Sequence, residues 1–166
     1  NHTFSGHSSL RIGKSTNQGA VTVSGGSVSV VNDYNIFGGA ITQNAPATSS
    51  AGSILINPTG NYAGNGALTA TAGTVRISGG AAIAPTAAIR ALETVTLSGT
   101  GAITNSGATL TSLASSVDVT SRSSTVNISA AISAATTVAL TASSTVTTSA
   151  TVAAGTGQVT ITSQAA

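Results

Sequence analysis

Hydrophobic and polar residues alternate along this chain in short bursts of period two, and Gly, Ser, Thr or Asn interrupts each burst. The clearest bursts share one form, in which two apolar positions flank a free one and a small or polar residue closes each end. They read Ala20-Val21-Thr22-Val23-Ser24, Ser53-Ile54-Leu55-Ile56-Asn57, Thr74-Val75-Arg76-Ile77-Ser78 and Thr94-Val95-Thr96-Leu97-Ser98. Three more follow as Ser116-Val117-Asp118-Val119-Thr120, Thr137-Val138-Ala139-Leu140-Thr141 and Gln158-Val159-Thr160-Ile161-Thr162. Alternation over four to five residues puts successive side chains on opposite faces and predicts strands buried on one side. Val75 and Ile77 then point inward and Arg76 outward; Val117 and Val119 point inward and Asp118 outward. Alternating β-branched residues, punctuated every few positions by turn formers, argue against a helix.

The bursts begin at residues 20, 53, 74, 94, 116, 137 and 158, so the spacings are 33, 21, 20, 22, 21 and 21. A fixed period of this size marks a repeat architecture. The first spacing exceeds 21 by 12, which predicts an insertion near 31–39, in the stretch containing Asn32-Asp33-Tyr34-Asn35-Ile36-Phe37-Gly38-Gly39. On this reading, residues 1–19 are an N-terminal segment holding a candidate edge or donor strand, and 20–166 are the repeats. Further short strands lie inside each repeat, such as those around Ile103 and Leu110, or Val126 and Ile132.

Two or three short strands per 21 residues describe one coil of a parallel β-helix. The expected fold is an all-β solenoid of roughly seven coils, stacked about 4.8 Å apart. One coil cannot bury its apolar side alone, whereas a stack buries a continuous column. The predicted inward ladder is Val23, Ile56, Ile77, Leu97, Val119, Leu140 and Ile161. The residue after each forms a predicted polar corner of Ser24, Asn57, Ser78, Ser98, Thr120, Thr141 and Thr162, whose expected task is to bond turn backbone.

Composition narrows the function classes. Charged residues make up 5% of the 166 and aromatics 2%, with no Cys, Met or Trp. Small residues suit a narrow stacked core, and a mean hydropathy of +0.35 opposes a disordered, mucin-like stalk. Without cysteine there is neither a disulfide framework nor a thiolate metal site. The five basic residues, Arg11, Lys14, Arg76, Arg90 and Arg122, are scattered. Nucleic acid is therefore not expected as a partner, because neutralising phosphates needs clustered charge. No run of 18 apolar residues offers a helical membrane span. No signal peptide opens the chain, so a leader was removed or the sequence is an internal piece.

Candidate chemistry is sparse. The acids Asp33, Glu93 and Asp118 fall in different coils and do not pair as glycoside hydrolysis requires. His2 and His7 lie near the N-terminus, and with no carboxylate or cysteine close to them in sequence they give a weak metal signal. The expectation is no catalytic residue, no cofactor, no metal and no enzyme. Asn1-His2-Thr3 and Asn127-Ile128-Ser129 match the N-glycosylation pattern, which makes Asn1 and Asn127 candidate acceptors.

A coil of 20 to 22 residues rich in Gly, Ala, Thr and Val, with a Val-x-Leu or Val-x-Ile strand in each, resembles the repeats of filamentous haemagglutinin-like exoproteins of two-partner secretion. The likeness runs from about Ala20 to Thr162. Leu55-Ile56-Asn57-Pro58-Thr59-Gly60, followed by Gly64-Asn65-Gly66-Ala67, looks like the Asn-Pro-Asn-Gly-Ile motif of the haemagglutinin secretion domain. It departs from that motif, with Thr59 in place of the second Asn and Asn61 in place of the Ile. An Asn-Pro turn closing a coil is the alternative reading of this stretch. The resemblance implies a right-handed parallel β-helix, export through an outer-membrane transporter, an extracellular or cell-surface location, and roles in adhesion, aggregation or biofilm.

Two other functions compete with an adhesive segment. The last coil, Gln158–Thr162, has no capping helix, which points to a cut fragment or to end-to-end stacking into a filament. The partner would then be a second copy or flanking repeats of a parent chain, with glycans as further partners. Ice binding needs regular Thr-x-Thr rows, and in this frame only Thr94/Thr96 supplies Thr at both places.

Overall fold

The computed structural model describes residues 4–164, which form 23 strands of three to five residues and no helix. Every strand pair is parallel, and the strands fall into three sheets. Sheet A stacks β1 (Phe4–His7), β4 (Val28–Val30), β7 (Ala47–Ser49), β10 (Leu68–Ala70), β13 (Ile89–Ala91), β16 (Leu110–Ser112), β19 (Ile132–Ala134) and β22 (Val152–Ala154). Sheet B stacks β2 (Leu10–Ile12), β5 (Tyr34–Gly38), β8 (Ile54–Pro58), β11 (Val75–Gly79), β14 (Val95–Gly99), β17 (Val117–Ser121), β20 (Val138–Ala142) and β23 (Val159–Ser163). Sheet C stacks β3 (Val21–Val23), β6 (Ile41–Gln43), β9 (Tyr62–Gly64), β12 (Ile83–Pro85), β15 (Ile103–Asn105), β18 (Val126–Ile128) and β21 (Val146–Thr148). The chain visits A, B and C in turn, making seven three-strand coils and two strands of an eighth. Eight stacked strands span about 34 Å along the axis. The protein is a parallel β-solenoid with coils of about 21 residues.

Successive sheet B strands begin at residues 10, 34, 54, 75, 95, 117, 138 and 159, with spacings of 24, 20, 21, 20, 22, 21 and 21. These numbers correct the predicted insertion. Residues 31–39 hold β5, an ordinary sheet B strand in register with its neighbours through Asn35↔Leu55 and Ile36↔Ile56. The burst at Ala20–Ser24 belongs to sheet C, where Val23 stands beside Gln43. The 33-residue spacing therefore joined positions on two different faces. The strand was hidden because Tyr34 fills an inward place otherwise held by Leu, Ile or Val, and Phe37 stands outward where the other coils carry polar residues. Among the described residues the longest step in sheet B is the one from β2 to β5, whose extra residues lie in the turn after Ile12. Gly13 there has φ 73°, and Asn17 N donates to Lys14 O at 2.8 Å.

The N-terminal segment is likewise part of the stack. β1 pairs with β4 and β2 pairs with β5, so the candidate donor strand is engaged within its own chain. Leu10 and Ile12 pack against the core from this first coil.

The core is a column of inward residues. Its straightest row is Ile12, Ile36, Ile56, Ile77, Leu97, Val119, Leu140 and Ile161, each in register with the next. The predicted ladder therefore holds from Ile56 to Ile161, with Ile12 and Ile36 replacing Val23 at its start. From Ile36 to Leu140 this row is fully buried, and each such side chain contributes about 1.5–3 kcal/mol. The row opens at Ile161, which is 51% exposed on the last strand.

Buried Asn and Ser residues at the strand ends bond the turns. Asn105 Nδ2 donates to the carbonyls of Ala108 and Ala130, and its Oδ1 accepts from Ser129 N at 3.0 Å. Ser49 donates to the Asn32 carbonyl and accepts from Gly52 N. Ser112 does the same with the Glu93 carbonyl and Ser115 N, and Ser121 with the Gly101 carbonyl and Ser124 N. These buried strand-end residues perform the turn-bonding task that the sequence pattern placed one residue after the ladder. Satisfying such groups matters because a buried orphan costs about 1–3 kcal/mol.

Candidate functional site

Side chains that do not enter the core form rows on three outer faces. Sheets A and C carry a single full outward row, because a three-residue strand turns only its middle residue out. On sheet A the row runs Ser29, Thr48, Thr69, Arg90, Thr111, Ser133 and Ala153. On sheet C it runs Thr22, Thr42, Ala63, Ala84, Thr104, Asn127 and Thr147. The five-residue strands of sheet B turn two residues outward, so this face has two parallel rows and is the broadest of the three.

The first row of sheet B is Arg11, Asn35, Leu55, Arg76, Thr96, Asp118, Ala139 and Thr160. The second starts at Phe37 and continues through Asn57, Ser78, Ser98, Thr120, Thr141 and Thr162. The second row contains the predicted polar corner with one correction. Ser24 follows a sheet C strand and is not part of it, and Phe37 takes its place. A further correction concerns the task of these residues. They lie within strands, not at corners, and Ser78 and Ser98 accept hydrogen bonds from arginine side chains instead of serving turn backbone. Asn57-Pro58 likewise ends strand β8, and the turn follows at Thr59-Gly60.

The charged and aromatic groups concentrate toward the first six coils of this face. The Arg11 guanidinium lies 4.7 Å from the centre of the Phe37 ring, a cation–π contact. Leu55, Asn57, Arg76 and Ser78 line a shallow depression over two adjacent coils. Arg76 Nη2 donates to Ser78 Oγ at 3.3 Å, and Arg122 Nη2 donates to Ser98 Oγ at 3.2 Å. Asp118 Oδ2 accepts from Ser116 Oγ at 2.8 Å, and Thr96 separates this acid from Arg76 in the row. Thr occupies both outward places only in β23, so no regular double Thr row exists on sheet B.

The remaining candidates are dispersed. Asp33 Oδ1 accepts from Ser53 N at 3.0 Å in the turn between sheets A and B. Among the described residues no group of three or more His, Cys, Asp or Glu is placed to hold a metal, and no helix is long and apolar enough to cross a membrane. Asn127 is outward and half-buried between Thr104 and Thr147, while Ser129 of its sequon donates to the Asn105 carbonyl at 3.3 Å. Asn1 and His2 lie outside the described residues.

One internal feature had no sequence signal. Tyr34 and Tyr62 both point inward near the start of the solenoid, where the other coils use aliphatic residues. The Tyr34 hydroxyl donates to Gln43 Oε1 at 3.0 Å, and Gln43 Nε2 passes the chain on to the Ala45 carbonyl. Burial pushes the Tyr34 hydroxyl well above its ordinary value of 10.0, with the bond to Gln43 acting the other way. Burial does the same to Tyr62, with the nearby Tyr34 adding to it. A Cβ on Gly64 would overlap the Tyr62 hydroxyl, so the glycine provides the room this ring needs.

No protein-family model matches the chain, and no curated protein or solved structure matches it either.

Proposed function

We propose that this solenoid is a non-catalytic contact segment of a secreted or cell-surface protein, acting in adhesion, aggregation or biofilm. The observation that carries the reading is the two-row outer face of sheet B. Its rows run in register over eight and seven strands and place Arg, Asn, Ser and Thr side chains at the fixed repeat of the coils. Such a face makes many weak contacts at once, and the sum over rows gives avidity without a deep pocket. The resemblance to filamentous haemagglutinin-like exoproteins supports export through an outer-membrane transporter and a bacterial surface location.

Beads coated with the protein test the reading. They are expected to clump and to be retained on cell or biofilm surfaces. Thr96→Glu with Thr120→Glu on sheet B should abolish retention, while Thr69→Glu with Thr111→Glu on sheet A should leave it intact. Retention no greater than that of albumin-coated beads would overturn it.

End-to-end assembly is a second reading, favoured by the last coil. Val159 and Ile161, which belong to inward rows, are 40% and 51% exposed there. This edge would accept another coil of the same repeat, from continuing chain or from a second copy. Particle length that grows with protein concentration in electron micrographs would support assembly, and a constant length would overturn it.

A further inference from the structure

Two arginines that lie 46 residues apart in the chain converge on one spot of sheet B. Ser78 and Ser98 are register partners on β11 and β14, so their Cα atoms lie about 4.8 Å apart. Arg76 reaches along its own strand to Ser78, while Arg122 reaches back from the turn after β17 to Ser98. Arg122 thereby covers Ser98, which is only 8% exposed although it faces outward. Both guanidinium groups are at the surface and each is held by a neutral hydroxyl. A single hydroxyl uses a small part of a guanidinium's five donors. Two guanidinium groups are thus bonded to the hydroxyls of register partners on adjacent strands.

We infer that Arg76 and Arg122, with Ser78 and Ser98, form an oxyanion notch that takes a carboxylate of an acidic polysaccharide lying along the coils. This rests on the contact reading above. Guanidinium groups bind carboxylate through paired parallel hydrogen bonds, and two of them can clamp one carboxylate from both sides. The surroundings suit a sugar chain. Asn57 and Thr96 present hydrogen-bonding groups in the same and neighbouring rows, and Leu55 offers an apolar patch for sugar C–H groups. The coil spacing is close to the advance of one pyranose in an extended chain, so successive sugars meet successive coils. The open, flat shape admits a polymer passing through, whereas a small ligand would need enclosure.

Titration calorimetry with polygalacturonate at low and moderate salt tests the notch. The unmodified protein should bind, more weakly as salt rises. Arg76→Ala with Arg122→Ala should lose about tenfold or more in affinity, the effect of removing one or more charge-assisted bonds. Arg90→Ala removes a positive charge from sheet A and should bind like the unmodified protein. Arg76→Lys with Arg122→Lys keeps the charge but loses the planar forks, and should bind several-fold more weakly. Equal loss in Arg90→Ala, full affinity in the lysine pair, or equal binding of single-stranded DNA of matched length would overturn the notch. So would coated beads that adhere to cells while the protein binds no polyuronate, an outcome that leaves the adhesive reading intact. Polyuronate binding by the notch without any bead adhesion would instead overturn the adhesive reading alone.

Discussion

The Tyr34 hydroxyl donates to Gln43 Oε1 across 3.0 Å, with both side chains fully buried inside the solenoid. It is the only hydrogen bond between two fully buried side chains among the described residues, and it links a sheet B strand to the sheet C strand of the same coil. Removing the hydroxyl leaves an amide oxygen without its donor in a place water does not reach. Tyr34→Phe is therefore expected to cost about 1–3 kcal/mol, measured by chemical denaturation. Gln43→Leu is expected to cost more than Tyr34→Phe, because it takes the partner from both the Tyr34 hydroxyl and the buried Ala45 carbonyl.

The same pair of tyrosines sets an alkaline limit on stability. Burial raises both hydroxyls above the ordinary 10.0, so the neutral forms belong to the folded state. Below pH ~10 the unfolded chain is also protonated there, and this contribution is complete. Above pH ~10 the unfolded chain releases protons that the folded chain keeps, so stability falls as pH rises toward the raised folded values. The slope should be about 1.4 kcal/mol per pH unit for each tyrosine. These are the chain's only two tyrosines, so the tyrosinate absorbance should appear together with loss of β-sheet circular dichroism. Tyrosinate formation in a protein that is still folded would contradict this.

Position along the stack should decide the cost of truncating one core row. Leu97 and Ile161 share that row, but Leu97 is fully buried and Ile161 is half exposed on the last strand. Leu97→Ala is expected to cost about 2–5 kcal/mol, through lost burial and the cavity left behind. Ile161→Ala should cost about 1 kcal/mol or less, because neighbours enclose it on one side only. Urea midpoints of the two variants compare them directly.

Much of the architecture was legible in the residues. The strands from β8 onward, their inward rows and the coil period all follow from alternation, because Ile56, Ile77, Leu97, Val119, Leu140 and Ile161 repeat in one frame. The start of the chain was not legible for a physical reason. A solenoid has three faces, and a short Val-x-Val strand on one face reads like its counterpart on another. Val21-Thr22-Val23 was therefore matched to the wrong sheet, while Tyr34 and Phe37 disguised the correct strand. The Arg76–Arg122 notch was also invisible, because Arg122 acts across the coil boundary on Ser98. Only a frame known to the residue puts these two arginines together.

Turn geometry offers a further check. Gly80 adopts φ 31°, and a Cβ there would overlap the Gly60 carbonyl oxygen of the coil below. Gly80→Ala should therefore lower stability by more than the roughly 1 kcal/mol that backbone conformation alone explains. Thermal melts of Gly80→Ala beside Gly107→Ala make the comparison, since Gly107 has neither the positive φ nor so close a contact.

The contact face begins at Arg11 and Asn35 only if sheet B runs unbroken from β2 through β5 to β8. The chain has no cysteine, so a disulfide placed across that step measures the register directly. Asn35 and Leu55 are register partners on neighbouring parallel strands, within the Cα separation of about 4.4–6.8 Å that a disulfide needs. Asn35→Cys with Leu55→Cys is predicted to oxidise to an intramolecular disulfide in the folded protein, while Thr22→Cys with Leu55→Cys, whose positions lie on different faces, stays reduced. A disulfide in the second pair and none in the first would contradict the continuous sheet and the face built on it.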